Sequence, residues 1–407
     1  MRQKNSWLTV STVLAVLAMA LMLPTQAVAA GTYKILHTFT WAKGPEGNLT
    51  LDAAGNLYGT TVGGGGAGCG GSGCGVIWKL KPNPNGAWTV SILHVFTGAD
   101  GRNSVAGLVF DAAGDLYGTT YEGGAYNSGV VFKLKPNPDG TWTESVLYSF
   151  SGAGGTFPVA GLVFDATGNL YGTALAGGAD GDGVVFKLKP NSDGTWTESV
   201  LHSFTGADGA EPSAGLIFDA AGNLYGTTAG GGADGDGVVF KLEPNSDGTW
   251  TESVLHSFTG TDGKSPVAGL VFDAAGNLYG TTVGGGAGCG GSGCGVVWKL
   301  QPKFDGTWTE SVLHSFTGTD GVNPYNAGLV VHADILYGTT SAGGTYGYGV
   351  AFKLLPTSSG WSETVLHTFV SYGRNPLAPV IFDPAGNLYG TTLSGKADHG
   401  LIFKITP

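Results

Sequence analysis

One sequence module recurs seven times between residues 31 and 407, and this repetition constrains the fold more than any other feature of the chain. Each copy contains a form of Gly-Leu-Val-Phe-Asp-Ala-Ala-Gly-Asn-Leu-Tyr-Gly-Thr-Thr. The Leu-Tyr-Gly-Thr anchor begins at Leu57, Leu116, Leu170, Leu224, Leu278, Leu336 and Leu388, so successive anchors are 59, 54, 54, 54, 58 and 52 residues apart. A repeat of this length is typical of architectures in which each unit packs against its neighbours.

Within one copy, residues 161–204, four short segments have strand character and are separated by turn residues. We predict strands over 161–165, 170–173, 183–189 and 195–204. Residues 165–169 and Asp193-Gly194 are hairpin turns that place glycine where a positive φ is needed. The third segment alternates apolar and polar residues with the period of two that a strand requires. Four short strands in every repeat, with no helical segment among them, predict the blade of a propeller.

The expected fold is therefore all-β, a seven-bladed β-propeller with four antiparallel strands per blade. We label the strands of a blade A to D from the axis outward. The repeats begin with a D-like segment, residues 33–39, and end with an A, B and C segment, residues 380–405. We predict that the N-terminal strand completes the last blade, because this closure removes the unpaired sheet edge of an open ring.

The first thirty residues indicate export. Arg2 and Lys4 precede an apolar core over 8–23, and Ala27-Val28-Ala29 has the small residues of a cleavage site. We therefore predict a signal peptide over 1–30, a propeller domain over 31–407 and secretion to the periplasm or the extracellular space. A membrane anchor is the alternative, but the apolar core is short for a spanning helix. Since no second apolar stretch follows, we expect no membrane span in the mature chain.

Composition limits the partners of such a chain. The formal charge is -11, and removing Arg2 and Lys4 with the leader makes it -13, so nucleic acid is not an expected partner. Only 12% of residues are charged and 74 are glycine, yet 42% are hydrophobic, which favours short buried strands joined by tight turns over disorder. We expect a monomer.

The four cysteines lie in two identical loops, each with the sequence Cys-Gly-Gly-Ser-Gly-Cys. In an exported chain this pattern predicts the disulfides Cys69–Cys74 and Cys289–Cys294. A zinc site is the alternative. Its ligands usually come as two close pairs with histidines, and no histidine lies near either loop.

The repeat also resembles a known family. The segments Leu-Tyr-Gly-Thr-Thr, Gly-Val-Val-Phe-Lys-Leu and Val-Leu-His-Ser-Phe are similar to the GloVer (Gloeo/Verruco-type) tandem repeat of exported bacterial proteins, over essentially the whole mature chain. The resemblance implies a propeller architecture and export. It implies no activity, and it carries no catalytic residue over to this sequence. Many relatives have a surface anchor that this chain lacks.

Comparison of the seven copies indicates where a function would lie. In a propeller the B-to-C and D-to-A loops share one face, which we call the variable face because its residues differ from blade to blade. The A-to-B and C-to-D turns on the other face are nearly constant. The candidate ligand-binding residues are Arg102, Asn103, Tyr121, Tyr126, Phe157, Glu211, Lys264, Tyr325, Asn326, Tyr346, Tyr348 and Arg374. Aromatic, amide and charged groups around a channel mouth suit a polar ligand such as a glycan. The alternative is that exposed loops diverge because nothing constrains them.

Three further groups of acidic and histidine residues can be considered as metal or catalytic sites. Asp180 and Asp182, and likewise Asp234 and Asp236, follow Gly-Gly-Ala and offer a weak calcium site, against a plain glycine-rich hairpin. No other cofactor is expected. The A-strand aspartates begin hairpin turns, where an aspartate accepts backbone N–H groups. The recurrent D-strand histidines, such as His202, lie on the outermost strands and do not share a centre, so one metal cluster built from them is not expected.

Three functions remain open at this point. The first is a non-enzymatic module that binds an extracellular glycan or protein through the variable face. The second is a polysaccharide lyase or hydrolase that uses Glu211, Glu122 or His399 as acid or base, although no nucleophile motif or paired-carboxylate spacing is visible. The third is a scaffold without a small-ligand site, because some blades are nearly identical.

Overall fold

The computed structural model describes residues 31–66, 68–326, 328–395 and 399–407, with the side chains of Ala42 and Lys43 left out. Seven sheets, each with four antiparallel strands in the order A, B, C, D, form a ring. The all-β, seven-bladed propeller predicted from the sequence is therefore confirmed. The predicted signal peptide over 1–30 lies outside the described residues and stays a prediction. Among the described residues, no helix has the length and apolar character needed to cross a membrane.

The strands recur at equivalent positions in all seven blades. The A strands are Thr50–Leu51, Val109–Phe110, Val163–Phe164, Ile217–Phe218, Val271–Phe272, Val330–His332 and Ile381–Phe382. The B strands are Leu57–Thr60, Leu116–Thr120, Leu170–Ala174, Leu224–Thr228, Leu278–Thr282, Ile335–Thr340 and Leu388–Thr392. The C strands are Val76–Pro82, Val130–Pro136, Val184–Pro190, Val238–Pro244, Val296–Pro302, Val350–Thr357 and Leu401–Thr406. The D strands are Trp88–Val95, Trp142–Ser149, Trp196–Ser203, Trp250–Ser257, Trp308–Ser315, Gly360–Thr368 and, in blade 7, Thr32–Thr38.

A few short elements lie in the loops. Ala42–Lys43 pairs with Gly63–Gly64, and Gly373–Arg374 pairs with Ser394–Gly395. The 3-10 turns are Cys69–Gly71, Gly152–Gly154 and Gly290–Ser292. The two glycine-rich cysteine loops each close with a disulfide, Cys69–Cys74 and Cys289–Cys294, as predicted.

The ring is closed by the N-terminal strand. Thr32–Thr38 pairs antiparallel with Leu401–Thr406, from Thr32 opposite Thr406 to Thr38 opposite Leu401. Tyr33 packs on Phe403 and Phe369, so the first strand also joins the aromatic core of the last blade. The predicted closure is confirmed, and the C strand of blade 7 has no open edge.

The hydrophobic core lies between consecutive blades. One core cluster, for example, combines Tyr117 and Val131 of blade 2 with Leu170 and Phe186 of blade 3. The glycine of Leu-Tyr-Gly-Thr makes this packing possible, because a Cβ on Gly172 would lie 2.7 Å from the ring of Phe186. A side chain at this position would displace the aromatic ring that fills the blade.

Blades are also joined by hydrogen bonds from the threonine of the same motif. The hydroxyl of Thr119 donates to the backbone carbonyl of Ala160, and that of Thr173 donates to Ala214, both at 3.1 Å. Each bond runs from a buried B strand to the beginning of the A strand in the next blade. Buried hydroxyl groups need such partners, which explains why the module keeps threonine here.

The A-strand aspartates act as predicted, as anchors of the A-to-B turns. Oδ1 of Asp219 accepts the backbone N–H groups of Ala221 and Asn223 at 2.9 Å, and Oδ2 accepts the hydroxyl of Tyr225 at 3.0 Å. Burial favours the neutral acid, but the hydrogen bonds from Asn223 and Tyr225 outweigh it and lower the pKa of Asp219. These carboxylates are structural.

Candidate functional site

The loops of the variable face are paired with one another. Each D-to-A loop forms a short antiparallel bridge with the B-to-C loop that follows it, as between Arg102 and Glu122, Thr156 and Ala176, or Lys264 and Gly284. The two kinds of loop therefore lie on the same face of the ring. Residues 20 positions apart in the sequence become neighbours there.

Every D-to-A loop holds a residue in the left-handed αL region at one equivalent position. These residues are Gly44, Asn103, Phe157, Glu211, Ser265, Asn323 and Asn375, with φ between 52 and 63°. All but Asn103 precede a proline. We call these seven residues the αL ring.

The backbone of each ring residue links two blades. The N–H of Phe157 donates to the carbonyl of Ser128 in the B-to-C loop of blade 2, and its carbonyl accepts the N–H of Leu175 in blade 3. Glu211 does the same between Asp182 and Ala229. Because this task needs only backbone atoms, the fold leaves the side chain free to vary.

Some residues of the αL ring are of types that rarely adopt a positive φ. Glycine and asparagine occupy αL at low cost, whereas other residues pay roughly 1 kcal/mol or more for the contact between Cβ and the carbonyl. Phe157 and Glu211 nevertheless have φ values of 60 and 58°. Strain of this kind is concentrated at functional sites in proteins, which directs attention to these two positions.

Two sets of side-chain contacts, one polar and one aromatic, meet at the consecutive residues Tyr121 and Glu122. The Arg102 guanidinium lies 2.8 Å from Oε2 of Glu122, and Nδ2 of Asn103 donates to the same oxygen at 3.0 Å. The ring of Phe157 packs on Tyr121 with centroids 5.0 Å apart and planes tilted by 31°. We call Arg102, Asn103, Tyr121, Glu122 and Phe157 the arginine–aromatic cluster.

This cluster is half-buried and retains an unused donor. Nε of Arg102 is buried and has no hydrogen-bond partner, although the other end of the guanidinium contacts Glu122. An unpartnered buried donor is costly unless a bound group accepts from it. An arginine fork, an amide and a carboxylate beside an aromatic surface can together hold a polar, ring-shaped ligand.

A cavity on the axis continues from this face. It has a volume of about 380 Å³ and is lined by the beginnings of all seven A strands, including Asn48, Val105, Val159 and Ser213. Most of the wall is glycine, alanine and aliphatic side chain, and Oγ of Ser213 is buried without a hydrogen-bond partner. The volume lies at the lower end of the range for small-molecule pockets, roughly 300–1,000 Å³.

The family assignment follows from the sequence of the whole ring. The model of the Gloeobacter/Verrucomicrobia repeat matches residues 67–292 and 246–407. The chain belongs to the Gloeobacter/Verrucomicrobia repeat family. The resemblance noted in the sequence is thereby confirmed. No curated protein matches the chain.

Solved structures add support for the fold of this Gloeobacter/Verrucomicrobia repeat protein. A candidate 6-phosphogluconolactonase of Bacteroides fragilis NCTC 9343 superposes with a TM-score of 0.52 at 14% sequence identity. The match covers 83% of this chain and 94% of that one. At such low identity the similarity concerns the fold alone.

Outside the arginine–aromatic cluster, the predicted binding residues of this repeat protein are dispersed around the ring. Lys264 forms an ion pair with Asp236, Nζ to Oδ1 at 2.8 Å. Tyr126, Tyr325 and Tyr346 are exposed, on three different loops. The remaining predicted residues are exposed, as Glu211 is, or partly buried, as Asn326, Tyr348 and Arg374 are.

The predicted calcium ligands are arranged as separate pairs. Asp180 and Asp234 are exposed at loop tips, whereas Asp182 and Asp236 are partly buried. One oxygen of Asp236 already contacts the Lys264 ammonium, so the charge of this carboxylate is balanced without a metal ion. The clusters of three or more metal-ligating side chains found among the described residues do not include these aspartates.

Two polar residues of the D-to-A loops were not identified from the sequence. Glu46 follows Pro45 and occupies the loop position of Val105, and burial raises the pKa of its carboxyl. Ser213 occupies the same position in blade 4. Alignment of the seven D-to-A loops could have found both, because valine or another apolar residue is common at this position in the other copies.

Proposed function

We propose that this protein is an exported, non-enzymatic glycan-binding propeller, with the arginine–aromatic cluster as the principal contact and the axial cavity beside it. The observation that carries the proposal is the Tyr121–Phe157 ring pair, which lies in the same paired loops as the Arg102–Glu122 and Asn103–Glu122 contacts. Aromatic rings stack on the apolar face of a sugar, and planar polar groups bind its hydroxyls in bidentate fashion. The two disulfides are compatible with the oxidising compartment that export implies.

The αL ring supplies the second argument. Asparagine at position 157 would satisfy the backbone with less strain, yet the chain has phenylalanine there. Binding is a reason to retain an aromatic residue in an unfavourable conformation. The proposal therefore predicts that stability and binding respond differently when this residue is changed.

The test uses the mature chain, residues 31–407, and a panel of soluble extracellular polysaccharides. Binding is screened by affinity electrophoresis and quantified by calorimetry. For a polysaccharide that binds, we expect Phe157→Asn to weaken binding at least tenfold, about 1.4 kcal/mol, with the melting temperature unchanged or higher. Phe304→Ala is the matched control, because Phe304 is fully exposed in a C-to-D turn on the opposite face.

Several outcomes would oppose the proposal. Unchanged affinity of Phe157→Asn would remove the cluster from the site, and Tyr325→Ala and Tyr346→Ala then test the rest of the variable face. Failure of every polysaccharide, with capture of a protein partner through the same residues, would replace the glycan by a protein. The enzyme alternative is tested by assaying the same polysaccharides for cleavage products and 6-phosphogluconolactone for hydrolysis, with Glu211→Gln and Glu122→Gln as variants.

A further inference from the structure

A second set of side chains recurs on the outer edge of the ring, where the D strand of one blade meets the D strand of the next. A D-strand histidine faces an aspartate six residues later, in the D-to-A loop, and a glutamate from the next blade lies beside them. This arrangement occurs at four junctions: His94, Asp100 and Glu144; His202, Asp208 and Glu252; His256, Asp262 and Glu310; His314, Asp320 and Glu363.

The geometry of the three groups is that of a ligand set. Nε2 of the histidine lies 3.0 to 3.1 Å from Oδ2 of its aspartate at all four junctions. In the His94 and His202 clusters, one donor atom from each of the three residues lies within 4.8 Å of the other two. The histidine and aspartate are hydrogen-bonded to each other, and the edge of a tetrahedron around an ion with bonds of about 2.0–2.2 Å is about 3.3–3.6 Å, so the two ligand atoms would have to separate by a few tenths of an ångström to bind one.

The aspartate is held in place by the loop. In blade 3, Oδ1 of Asp208 accepts the backbone N–H of Thr205 at 2.9 Å and its hydroxyl at 3.0 Å, which turns Oδ2 toward His202. The side chains of His202 and Asp208 are about one-fifth exposed, at 18% and 22%. Water can therefore reach the cluster and supply a fourth ligand.

One oxygen of the glutamate is unpartnered in each cluster, and the same is true of Glu198, whose junction has no cluster. Oε1 of Glu144, and likewise of Glu252, is buried and has no hydrogen-bond partner. Burial and the neighbouring Asp208 carboxylate raise the pKa of Glu252 to about 7. A buried carboxylate facing another carboxylate is unfavourable without a cation or a proton between them.

The three junctions without a complete cluster provide an internal comparison. The loops that follow His37, Tyr148 and His367 contain no aspartate. In each case a second member of the set is also replaced. Val90 stands at the glutamate position beside His37, and Tyr33 stands there beside His367, where the two rings stack at 3.8 Å. Tyr148 replaces the histidine in the third junction and donates a hydrogen bond to Glu198 at 3.4 Å.

Loss of two members together is what a shared task for all three would produce. His37 and His367 persist without the aspartate and the glutamate and pack on Phe39 and Phe369, so the histidine also has a packing role, and the two carboxylates are the members that are lost together there. At the Glu198 junction, which has no cluster, Oε2 accepts the hydroxyl of Tyr148 and Oε1 is buried without a hydrogen-bond partner, as it is in the clusters. The histidine–aspartate pair is therefore what distinguishes the four junctions.

We propose that the histidine–aspartate–glutamate clusters are binding sites for a divalent transition-metal ion, zinc being the ion that best fits one imidazole and two carboxylates. Each ion joins the D strands of two blades and strengthens the ring at its outer edge. Thiolate ligands are absent from the four clusters, and an imidazole with carboxylates favours zinc over calcium, which prefers six to eight oxygen ligands.

The experiment measures zinc binding to the mature chain without a histidine tag, after removal of metal with a chelator. Titration calorimetry and competition with a chromogenic chelator at pH 7.5 give the stoichiometry. We expect two to four ions per chain, the first two in the His94 and His202 clusters, and a rise in melting temperature on addition of zinc.

Variants assign the ions to the clusters. His202→Gln and Glu252→Gln should each remove one ion, and Glu144→Gln combined with Glu252→Gln should remove two. Glu198→Gln is the matched control, because Glu198 occupies the same strand position without histidine or aspartate, and it should leave the stoichiometry unchanged. Having both a histidine and a glutamate variant keeps the test usable if one of them fails to fold.

Three results would overturn the proposal. They are a stoichiometry below two, equal loss of zinc in Glu198→Gln and Glu252→Gln, and calcium binding as tight as zinc binding to the same sites. None of these readouts involves polysaccharide, and the His202 cluster shares no residue with the arginine–aromatic cluster. Failure of the metal proposal therefore leaves the proposed function untouched, and the reverse also holds.

Discussion

Replacing Asp165 by alanine tests whether the A-to-B turn aspartates stabilise the ring as the hydrogen bonds indicate. Oδ1 of Asp165 accepts the backbone N–H groups of Thr167 and Asn169 at 2.8 and 3.0 Å, and Oδ2 accepts the hydroxyl of Tyr171 at 3.0 Å. Tyr171 is only 3% exposed, so its hydroxyl would lose its acceptor in a buried place. An unsatisfied buried hydroxyl costs about 1–3 kcal/mol, and the two backbone bonds add about 1 kcal/mol.

We expect the free energy of unfolding to fall by about 3 kcal/mol in Asp165→Ala at pH 7. This corresponds to a lower melting temperature by roughly 5 °C for a domain of this size. Calorimetry or tryptophan fluorescence on the mature chain measures it. Asp193→Ala is the matched control, because Asp193 also accepts an N–H in a hairpin turn but is exposed and has only Thr195 as a partner, so its effect should be much smaller.

The pH dependence gives an independent check. Burial favours the neutral acid, but hydrogen bonds from Asn169, Thr167 and Tyr171 outweigh it and lower the pKa of Asp165 from 3.8 to about 2. The stabilisation by the charged form is therefore present above pH 3.8 and is lost as the pH falls through about 2. The shift corresponds to about 2 kcal/mol, which solvent screening of this partly exposed group reduces to about 1 kcal/mol. The difference between wild type and Asp165→Ala should shrink by that amount between pH 5 and pH 2.

A double-mutant cycle with Tyr171→Phe isolates the hydroxyl bond. Both single variants remove it, so the double variant should be less destabilised than the sum of the two by about 1 kcal/mol. Additive effects, or a loss in Asp165→Ala below about 1 kcal/mol, would refute the assignment of the aspartate as the anchor of Tyr171.

Three further perturbations test the ring as a whole. Asp219→Ala should repeat the result in blade 4, because the same bonds reach Tyr225, and the melting temperature checks it. Cys289→Ser should lower the free energy of unfolding by about 2 kcal/mol, the loop-entropy value for a disulfide between residues 5 apart, and urea denaturation measures this. A chain that begins at residue 41 should form larger species than the chain 31–407, because Leu401–Thr406 would become an open sheet edge. Size-exclusion chromatography measures this, and equal apparent sizes of the two chains would contradict it.

Much of the fold could be predicted from the repeat itself. The turn aspartates, the glycine of the Leu-Tyr-Gly-Thr motif and the alternation in the C strands act over a few residues, so local rules are sufficient to interpret them. The two disulfides were predictable for the same reason, since each closes a loop of six residues, as at Cys69–Cys74. The sequence also separates the constant face from the variable one.

Contacts between loops that are far apart in the sequence could not be predicted from local sequence patterns. Arg102 and Phe157 belong to different D-to-A loops, and each contacts the B-to-C loop of blade 2, Arg102 at Glu122 and Phe157 at Tyr121 and Ser128. The αL ring has a partial signal in sequence, because most of its residues precede proline, but φ itself is decided by the bonds to two neighbouring blades. The sequence assigned Tyr126, Tyr325 and Tyr346 to three different loops, and the structure adds that all three side chains are exposed.

The seven copies by themselves determined the number of blades, the closure of the ring and the roles of the turn residues, because each of these depends on local periodicity and on one unit packing against an identical one. The tertiary structure alone decided which side chains meet between blades. His202 and Glu252 are 50 residues apart, and they face each other only because the ring places one D strand beside the next. Interactions between blades thus depend on the rotation angle from one blade to the next. This angle is set by the closure of the whole ring and cannot be derived from a single repeat.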